Sequence, residues 1–124
     1  MFGMFRKSMQ INTNRVLHQE DITMEELKQM QNNGCIVIDV RSPQEYKEWH
    51  IKGTISIPEY DIMRDINKYV KSKNEEIIVY CQSGYRSKKA QKELQKLGYT
   101  NVFNLYNGFE NYWDFFYNML KCVI

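Results

Sequence analysis

The residues best suited to chemistry lie in one short segment, Cys81-Gln82-Ser83-Gly84-Tyr85-Arg86-Ser87. Cys81 follows the apolar run 77–80, which is typical of a buried strand, and a helical pattern begins near Ser87. A loop between the carboxyl end of a strand and the amino end of a helix gathers backbone N–H groups and the positive end of the helix dipole. This setting favours the thiolate, which is the nucleophilic form of cysteine.

Gly84 and Arg86 strengthen the case for a reactive Cys81. Glycine adopts the positive φ that a tight loop often needs, and arginine carries a permanent charge that can brace the loop or meet a ligand. The same loop could hold the outer sulfur of a persulfide on Cys81, because that sulfur is also an anion. The alternative is that Cys81 is a small buried residue that ends a strand, as many free cysteines are. The combination of strand, glycine and arginine favours the reactive cysteine.

Strands alternate with helices along the whole chain. Apolar runs predict strands at 35–40, 54–58, 77–80 and 102–105, with a weaker edge strand at 15–18. Helices are predicted at 23–32, 43–49, 62–72 and 87–97, and from Gly108 onward. Thr23 with Glu26 forms a capping box for the first helix, and Ser42 caps the second.

This order predicts one α/β domain at residues 15–124, preceded by an N-terminal tail at residues 1–14. We expect a mostly parallel central sheet of about four to five strands with helices on both faces. The last predicted helix has an aromatic face, which we assign to the core. Its members are Phe109, Tyr112, Trp113, Phe116, Met119 and Leu120.

Composition and charge exclude several classes of function. With 124 residues, 43% hydrophobic and 26% charged, the chain has the composition of a single soluble domain. A formal charge of +2 is too small to predict a nucleic-acid partner. No apolar run approaches the roughly 20 residues that cross a bilayer, and the first residues lack the apolar segment of a secretory signal. Three widely spaced cysteines indicate a reducing compartment, so we expect a cytoplasmic protein without a membrane anchor.

The charged residues Asp39, Arg41 and Glu45 have two interpretations. We favour a structural ion pair between the end of a strand and the following short helix. Alternatively, Asp39, Arg41 and Glu45 line the pocket of Cys81, with Asp39 and Arg41 behind the residues of the loop. Arg41 at the carboxyl end of that strand is therefore a candidate contact for an anionic donor.

Histidines and the remaining cysteines receive structural interpretations. His50 is expected to be a turn residue that is hydrogen-bonded to the backbone. Cys35 is expected to be a buried strand residue, and Cys122 a thiol of the tail. Because His18, His50 and the three cysteines lack the spacing of metal ligands, we predict no metal and no cofactor.

Four stretches in this order make the chain resemble the single-domain rhodaneses, a family of sulfurtransferases. They are Asp39-Val40-Arg41 with Glu45-Tyr46, His50-Ile51-Lys52-Gly53 with Ile57-Pro58, the Cys81–Ser87 loop, and Gly108 with Trp113. The resemblance covers about residues 21 to 113 and implies a rhodanese-like fold. It also implies that Cys81 takes a sulfane sulfur from a small donor, thiosulfate or a persulfide. The sulfur would pass to cyanide, a thiol or a protein acceptor.

Two other functions remain open at this point. Cysteine phosphatases and arsenate reductases carry one residue more between cysteine and arginine than the four that separate Cys81 from Arg86. The smaller ring favours a single sulfur over a tetrahedral oxyanion. The other alternative is a binding or regulatory module that uses the same fold without catalysis.

The chain departs from the family in the charge of its loop. Many members that use thiosulfate have an extra cation there, whereas Gln82, Ser83 and Tyr85 are uncharged. We therefore expect a weak attraction for a dianion such as thiosulfate. Ser56 replaces the usual asparagine before the Ile-Pro pair, which changes only a local hydrogen bond.

Overall fold

The apolar runs of the sequence form one parallel sheet in the computed structural model, which describes residues 20–108 and residue 110. The strands are β1 (Asp21–Ile22), β2 (Ile36–Asp39), β3 (Ile55–Ser56), β4 (Glu76–Tyr80) and β5 (Asn101–Leu105). Their order across the sheet is β1-β5-β4-β2-β3, and every neighbouring pair is parallel. Strand β4 is central, so the residue that follows it lies at the middle of the sheet's carboxyl edge. The predicted parallel sheet is confirmed.

Helices cover both faces of this sheet. They are α1 (Met24–Asn32), α2 (Pro43–Glu48), α3 (Ile62–Asp65) and α4 (Tyr85–Lys96). On one face, α1 contributes Leu27 and Met30 to an apolar cluster with Ile78 of β4. On the other face, α3 and α4 contribute residues to a second cluster that includes Val79 of β4. Alternate residues of β4 thus enter different clusters, which explains why the strand is apolar throughout.

Two helices begin with the predicted caps. The Thr23 Oγ1 accepts a hydrogen bond from the Glu26 N–H at 3.3 Å, and the Glu26 carboxylate accepts one from the Thr23 N–H at 2.9 Å. Ser42 and Glu45 make the same reciprocal pair at the start of α2. These boxes satisfy backbone N–H groups that a helix leaves without partners, so both starts follow from local sequence alone.

The predicted helix 62–72 is wrong in its continuity. Helix α3 ends at Asp65, and short 3-10 turns at Glu59–Asp61 and Ile66–Lys68 flank it. Ile62, Ile66 and Val70 are nevertheless buried, whereas Tyr69 is half exposed. The core requires only that this apolar stripe be buried, and two tight turns bury it as well as a regular helix.

Strand β3 is shorter than the predicted 54–58. It lies at the edge of the sheet, and regular pairing is limited to two residues. The segment continues along β2 in a less regular way, since the Ile57 N–H donates to the Asp39 carbonyl at 3.1 Å. Proline has no N–H to extend the ladder, so the regular strand stops before Pro58.

Several predictions concern residues outside the described ranges. These are the tail at 1–14, the edge strand at 15–18, the aromatic face of the last helix and the Cys122 thiol. Within residues 20–108 and 110, no helix has the length and apolar character needed to cross a bilayer.

Candidate active site

Two backbone amides of the loop point at the Cys81 sulfur. The Gly84 N–H donates to Sγ at 3.1 Å, and the Ser87 N–H donates at 3.3 Å. Sulfur accepts hydrogen bonds more strongly as thiolate than as thiol, and bonds to the charged form favour it. The arrangement therefore stabilises negative charge on this sulfur without a charged side chain.

The loop takes this shape because helix α4 begins inside it. Gly84 is the residue before the helix and has φ of +101°, a left-handed conformation that costs other residues about 1–2 kcal/mol. The N–H groups in the first turn of a helix have no acceptor within the helix. Ser87 directs its N–H to Sγ, and those of Tyr85 and Arg86 begin the same turn. The helix terminus thus supplies two donors to the Cys81 sulfur.

Gly108 holds the loop from the other side. A Cβ at this position would lie 2.4 Å from the Cys81 carbonyl oxygen and 2.8 Å from the Gln82 carbonyl oxygen, and φ is +62°. The segment after β5 therefore passes directly against the loop backbone. The Glu110 N–H donates to the Gln82 carbonyl at 3.0 Å and fixes this contact. The sequence indicated Gly108 as the start of a helix and as part of the family resemblance, but it did not indicate this contact, which joins distant parts of the chain.

Cys81 lies deep within its loop. The residue is 1% exposed and belongs to the apolar cluster that includes Val79 and Ala90. The tip of the loop faces solvent, since Ser83 is exposed and Tyr85 is 82% exposed. Reagents therefore reach the sulfur only if they are small enough to pass the loop backbone.

Arg86 braces the loop against helix α2. Its guanidinium donates to both carboxylate oxygens of Glu45, at 2.8 and 3.1 Å. This bidentate pair holds the pKa of Glu45 at about 2, helped by the N–H of Ser42, and raises that of Arg86. Of the two roles expected for Arg86, the structure shows the brace.

Asp39 and Arg41 form a buried ion pair beside the loop. The Arg41 guanidinium donates to the Asp39 carboxylate at 2.8 Å and also to the carbonyl of Trp49. Asp39 is fully buried and Arg41 is 4% exposed. The predicted ion pair was between the strand end and the short helix, whereas the structure pairs Arg41 with Asp39 within the strand end and Glu45 of the helix with Arg86.

A chain of polar side chains lies behind the sulfur. The Ser87 Oγ lies 3.4 Å from Sγ and 2.5 Å from the Asn104 Oδ1. The Asn104 Nδ2 donates to the Asp21 Oδ1 at 3.2 Å, and Lys88 Nζ donates to the same oxygen at 3.0 Å. Sequence reasoning missed Asn104 and Asp21. A polar residue within a buried apolar strand was the available signal, because buried polar groups are normally hydrogen-bonded.

His50 contacts the backbone as predicted, and Cys35 is buried as predicted but lies just before β2 and not in it. The His50 Nδ1 lies 2.6 Å from the carbonyl oxygen of Tyr46, and the two rings stack. The Cys35 thiol is buried and donates to the Glu76 carbonyl at 3.2 Å. Within the described part of the chain, no three His, Cys, Asp or Glu side chains are grouped so as to hold a metal ion.

The chain is similar to a known family of domains. The family model of the rhodanese-like domain matches residues 23–114. Thiosulfate sulfurtransferase PspE of Escherichia coli is 40% identical over 67 residues, which are 54% of this chain and 64% of that protein. Thiosulfate sulfurtransferase GlpE of Pseudomonas paraeruginosa is 30% identical over 89 residues, which are 72% of this chain and 79% of that protein.

The fold is also found in a solved human structure. The human single-domain sulfurtransferase TSTD1 aligns with a TM-score of 0.68 at 21% identity, covering 77% of this chain and 96% of that one. The chain spans about half to two thirds of the length of the first curated relatives it matches.

The Gly84→Ala variant tests the role of the loop amides. We expect it to lower the free energy of unfolding by about 1–2 kcal/mol through the positive φ, and to slow alkylation of Cys81 about tenfold by displacing a donor. Gly34→Ala is the matched control, since Gly34 has φ of +94° and open space around it far from the loop. Urea unfolding should show a similar loss of stability in both variants, whereas only Gly84→Ala should slow the reaction of Cys81 with iodoacetamide. Equal alkylation rates in both variants would contradict the prediction.

The Glu45→Gln variant tests the brace. Both partners are about one third exposed, at 37% for Arg86 and 34% for Glu45, so solvent screens the pair. We expect a loss of about 0.5–1 kcal/mol in the free energy of unfolding at neutral pH. The folded pKa of about 2 lies below the ordinary 4.5, so this contribution is complete above pH 4.5 and disappears as pH falls toward 2.

Urea unfolding across this pH range measures the loss from Glu45→Gln. Glu48→Gln on the exposed side of α2 is the control, and it should show little change at any pH. A difference between wild type and Glu45→Gln that stays constant with pH would show that the ion pair does not carry the effect.

Proposed function

This chain belongs to the rhodanese-like domain family, and we propose that it is a sulfurtransferase that carries a sulfane sulfur on Cys81. The observation that carries the proposal is the direction of the Gly84 and Ser87 N–H groups toward Sγ. Relatives named as thiosulfate sulfurtransferases support it. The free thiols of Cys35 and Cys81 agree with a reducing compartment such as the cytoplasm.

The reaction needs no protein base once Cys81 is ionised. The thiolate attacks the outer sulfur of thiosulfate, a new S–S bond forms, and the S–S bond of the donor breaks. Sulfite leaves with that bond's electron pair, and the persulfide keeps one negative charge on its outer sulfur. Cyanide or a thiolate then attacks this outer sulfur, and the Cys81 thiolate is regenerated.

The loop amides suit both charged states of this cycle. In the free enzyme the charge is on Sγ, where Gly84 and Ser87 donate. In the persulfide the charge moves outward, toward the first turn of α4, where the N–H groups of Tyr85 and Arg86 have no intrahelical acceptor. A group of fixed dipoles can serve both states without a proton transfer.

The charges around the loop favour small persulfide donors over thiosulfate. Arg86 pairs with Glu45, Lys88 with Asp21, and Lys89 with Glu59 at 3.4 Å. Each pair has no net charge, so the attraction for a dianion is weak. We propose a persulfide of a small thiol as the better donor, and a thiol, cyanide or a protein thiol as acceptor.

The burial of Cys81 favours a second candidate, a binding module without catalysis. A cysteine that is 1% exposed reacts slowly unless the reagent is small. Fast alkylation by iodoacetamide together with slow reaction with a bulky maleimide would support the sulfurtransferase. Slow reaction with both would support the module.

The Cys81→Ser variant tests the persulfide directly. Incubation with thiosulfate or a small persulfide should add the mass of one sulfur to the wild-type chain, as read by intact-protein mass spectrometry. Cys81→Ser should gain nothing, because an alcohol is a far weaker nucleophile than a thiolate. Cys35→Ser should still load sulfur. A wild-type chain that stays unmodified with every donor refutes the proposal.

A new cation in the loop should improve thiosulfate binding. Ser83 is exposed within the loop, and Ser83→Lys places a charge beside the donor. An interaction of about 1 kcal/mol lowers the KM for thiosulfate about fivefold at low salt, and the effect shrinks as salt screens it. Gln95→Lys, at the exposed far end of α4, is the charge-matched control. Equal KM values in the two variants would mean that local charge does not limit this donor.

A further inference from the structure

The polar side chains behind the sulfur are joined by hydrogen bonds, and the direction of each bond from donor to acceptor can be assigned. We propose that this direction controls ionisation of Cys81. Asn104, oriented by Asp21, holds the hydroxyl proton of Ser87 away from the sulfur. Asn104 and Asp21 are thus positioning residues that act through Ser87. The proposal deepens the proposed function and rests on it only for the consequence in sulfur transfer.

All four residues of this row of polar side chains, including Cys81, are buried. Asp21 is 6% exposed, Asn104 4%, Ser87 0% and Cys81 1%. Buried hydrogen bonds are strong and sensitive to direction, because water cannot replace a missing partner. The direction of each bond in this chain therefore matters to the charge of the sulfur at its end.

The direction follows from the chemistry of the amide. Two acceptors that face each other repel, so Asn104 must turn its NH2 group toward the Asp21 carboxylate, at 3.2 Å. Its Oδ1 then faces the Ser87 Oγ at 2.5 Å. An amide oxygen has no proton to give, so Ser87 is the donor of this short bond.

Ser87 has a single hydroxyl proton, and this contact uses it. With its proton on Asn104, the Ser87 Oγ presents a lone pair to Sγ, 3.4 Å away. The Gly84 carbonyl, at 3.2 Å, is a second and longer acceptor for the same proton. A protonated Cys81 donates its S–H to that lone pair. A thiolate meets the same lone pair as a repulsive neighbour, unless Asn104 releases the proton of Ser87.

Cys81 thus experiences two opposed influences. The Gly84 and Ser87 amides favour the thiolate, whereas the Ser87 hydroxyl, as held by Asn104, favours the thiol. The charged groups that face the sulfur from neighbouring elements are paired: Arg86 with Glu45, Arg41 with Asp39, and Lys88 with Asp21. The hydrogen-bond direction set by Asn104 is therefore the adjustable part of the balance.

The test is the pH dependence of Cys81 alkylation by iodoacetamide, followed by mass spectrometry of the peptide that contains it. Asn104→Leu removes the shorter of the two acceptors, so the Ser87 proton turns to the thiolate, which as a charged acceptor competes with the Gly84 carbonyl. We expect the midpoint of the pH–rate profile to fall by about one pH unit, which is about tenfold in thiolate fraction below the midpoint. Asn101→Leu, the same change in the same strand away from Ser87, should leave the midpoint in place.

Two further variants keep the result interpretable. Asp21→Asn removes the carboxylate that orients Asn104, and it should lower the midpoint even if Asn104→Leu folds poorly. In a Ser87→Ala background, Asn104→Leu should have no further effect, because no hydroxyl proton remains to be redirected. Unchanged midpoints in both Asn104→Leu and Asp21→Asn, a rise in either, or a shift that persists without Ser87 would overturn the proposal.

Sulfur loading is measured separately on the same proteins. If the wild type never gains sulfur but its midpoint responds to Asn104→Leu, the proposed function fails and this inference stands. If the wild type gains sulfur and the midpoint does not respond to Asn104→Leu, the proposed function stands and this inference fails.

Discussion

The structure depends on the direction of backbone amides in one loop. The Gly84 and Ser87 N–H groups reach the Cys81 sulfur only because the chain leaves the central strand and enters a helix within a few residues. Gly84 permits the turn through its positive φ, and Gly108 lets another segment press against the loop backbone. An amide dipole does not titrate, so the field at the sulfur persists over the whole range in which the fold is stable.

Charged side chains around the loop are paired with one another and hold the structure in place. Arg86 uses its guanidinium on Glu45, which also caps helix α2 and thereby joins two elements at the carboxyl edge of the sheet. A bidentate pair fixes both distance and angle, which a single contact does not. The loop therefore gains rigidity from a pair with no net charge.

Local features were predictable from the sequence, and features that need strand register were not. The caps at Thr23 and Ser42, and a cysteine between strand and helix, each depend on a few consecutive residues. The contact of Asn104 with Ser87 and Asp21 requires β5 to lie between β1 and β4, which periodicity does not determine. The helix predicted at 62–72 failed for a related reason, because burial of a stripe does not specify the hydrogen bonds between its members.

In the proposed function Cys81 alternates between a free thiolate and a persulfide. The loop amides and the Ser87 hydroxyl do not affect these two states equally. In the free thiolate the charge is on Sγ, beside the lone pair of Ser87 that Asn104 fixes. In a persulfide Sγ is a neutral divalent sulfur, and the charge lies on the outer atom, away from Ser87. The repulsion then disappears, while the donors of the first helical turn remain available. In the proposed cycle, a hydroxyl held in this direction therefore disfavours the empty thiolate relative to the loaded persulfide, which suits the proposed role of keeping sulfur until an acceptor arrives.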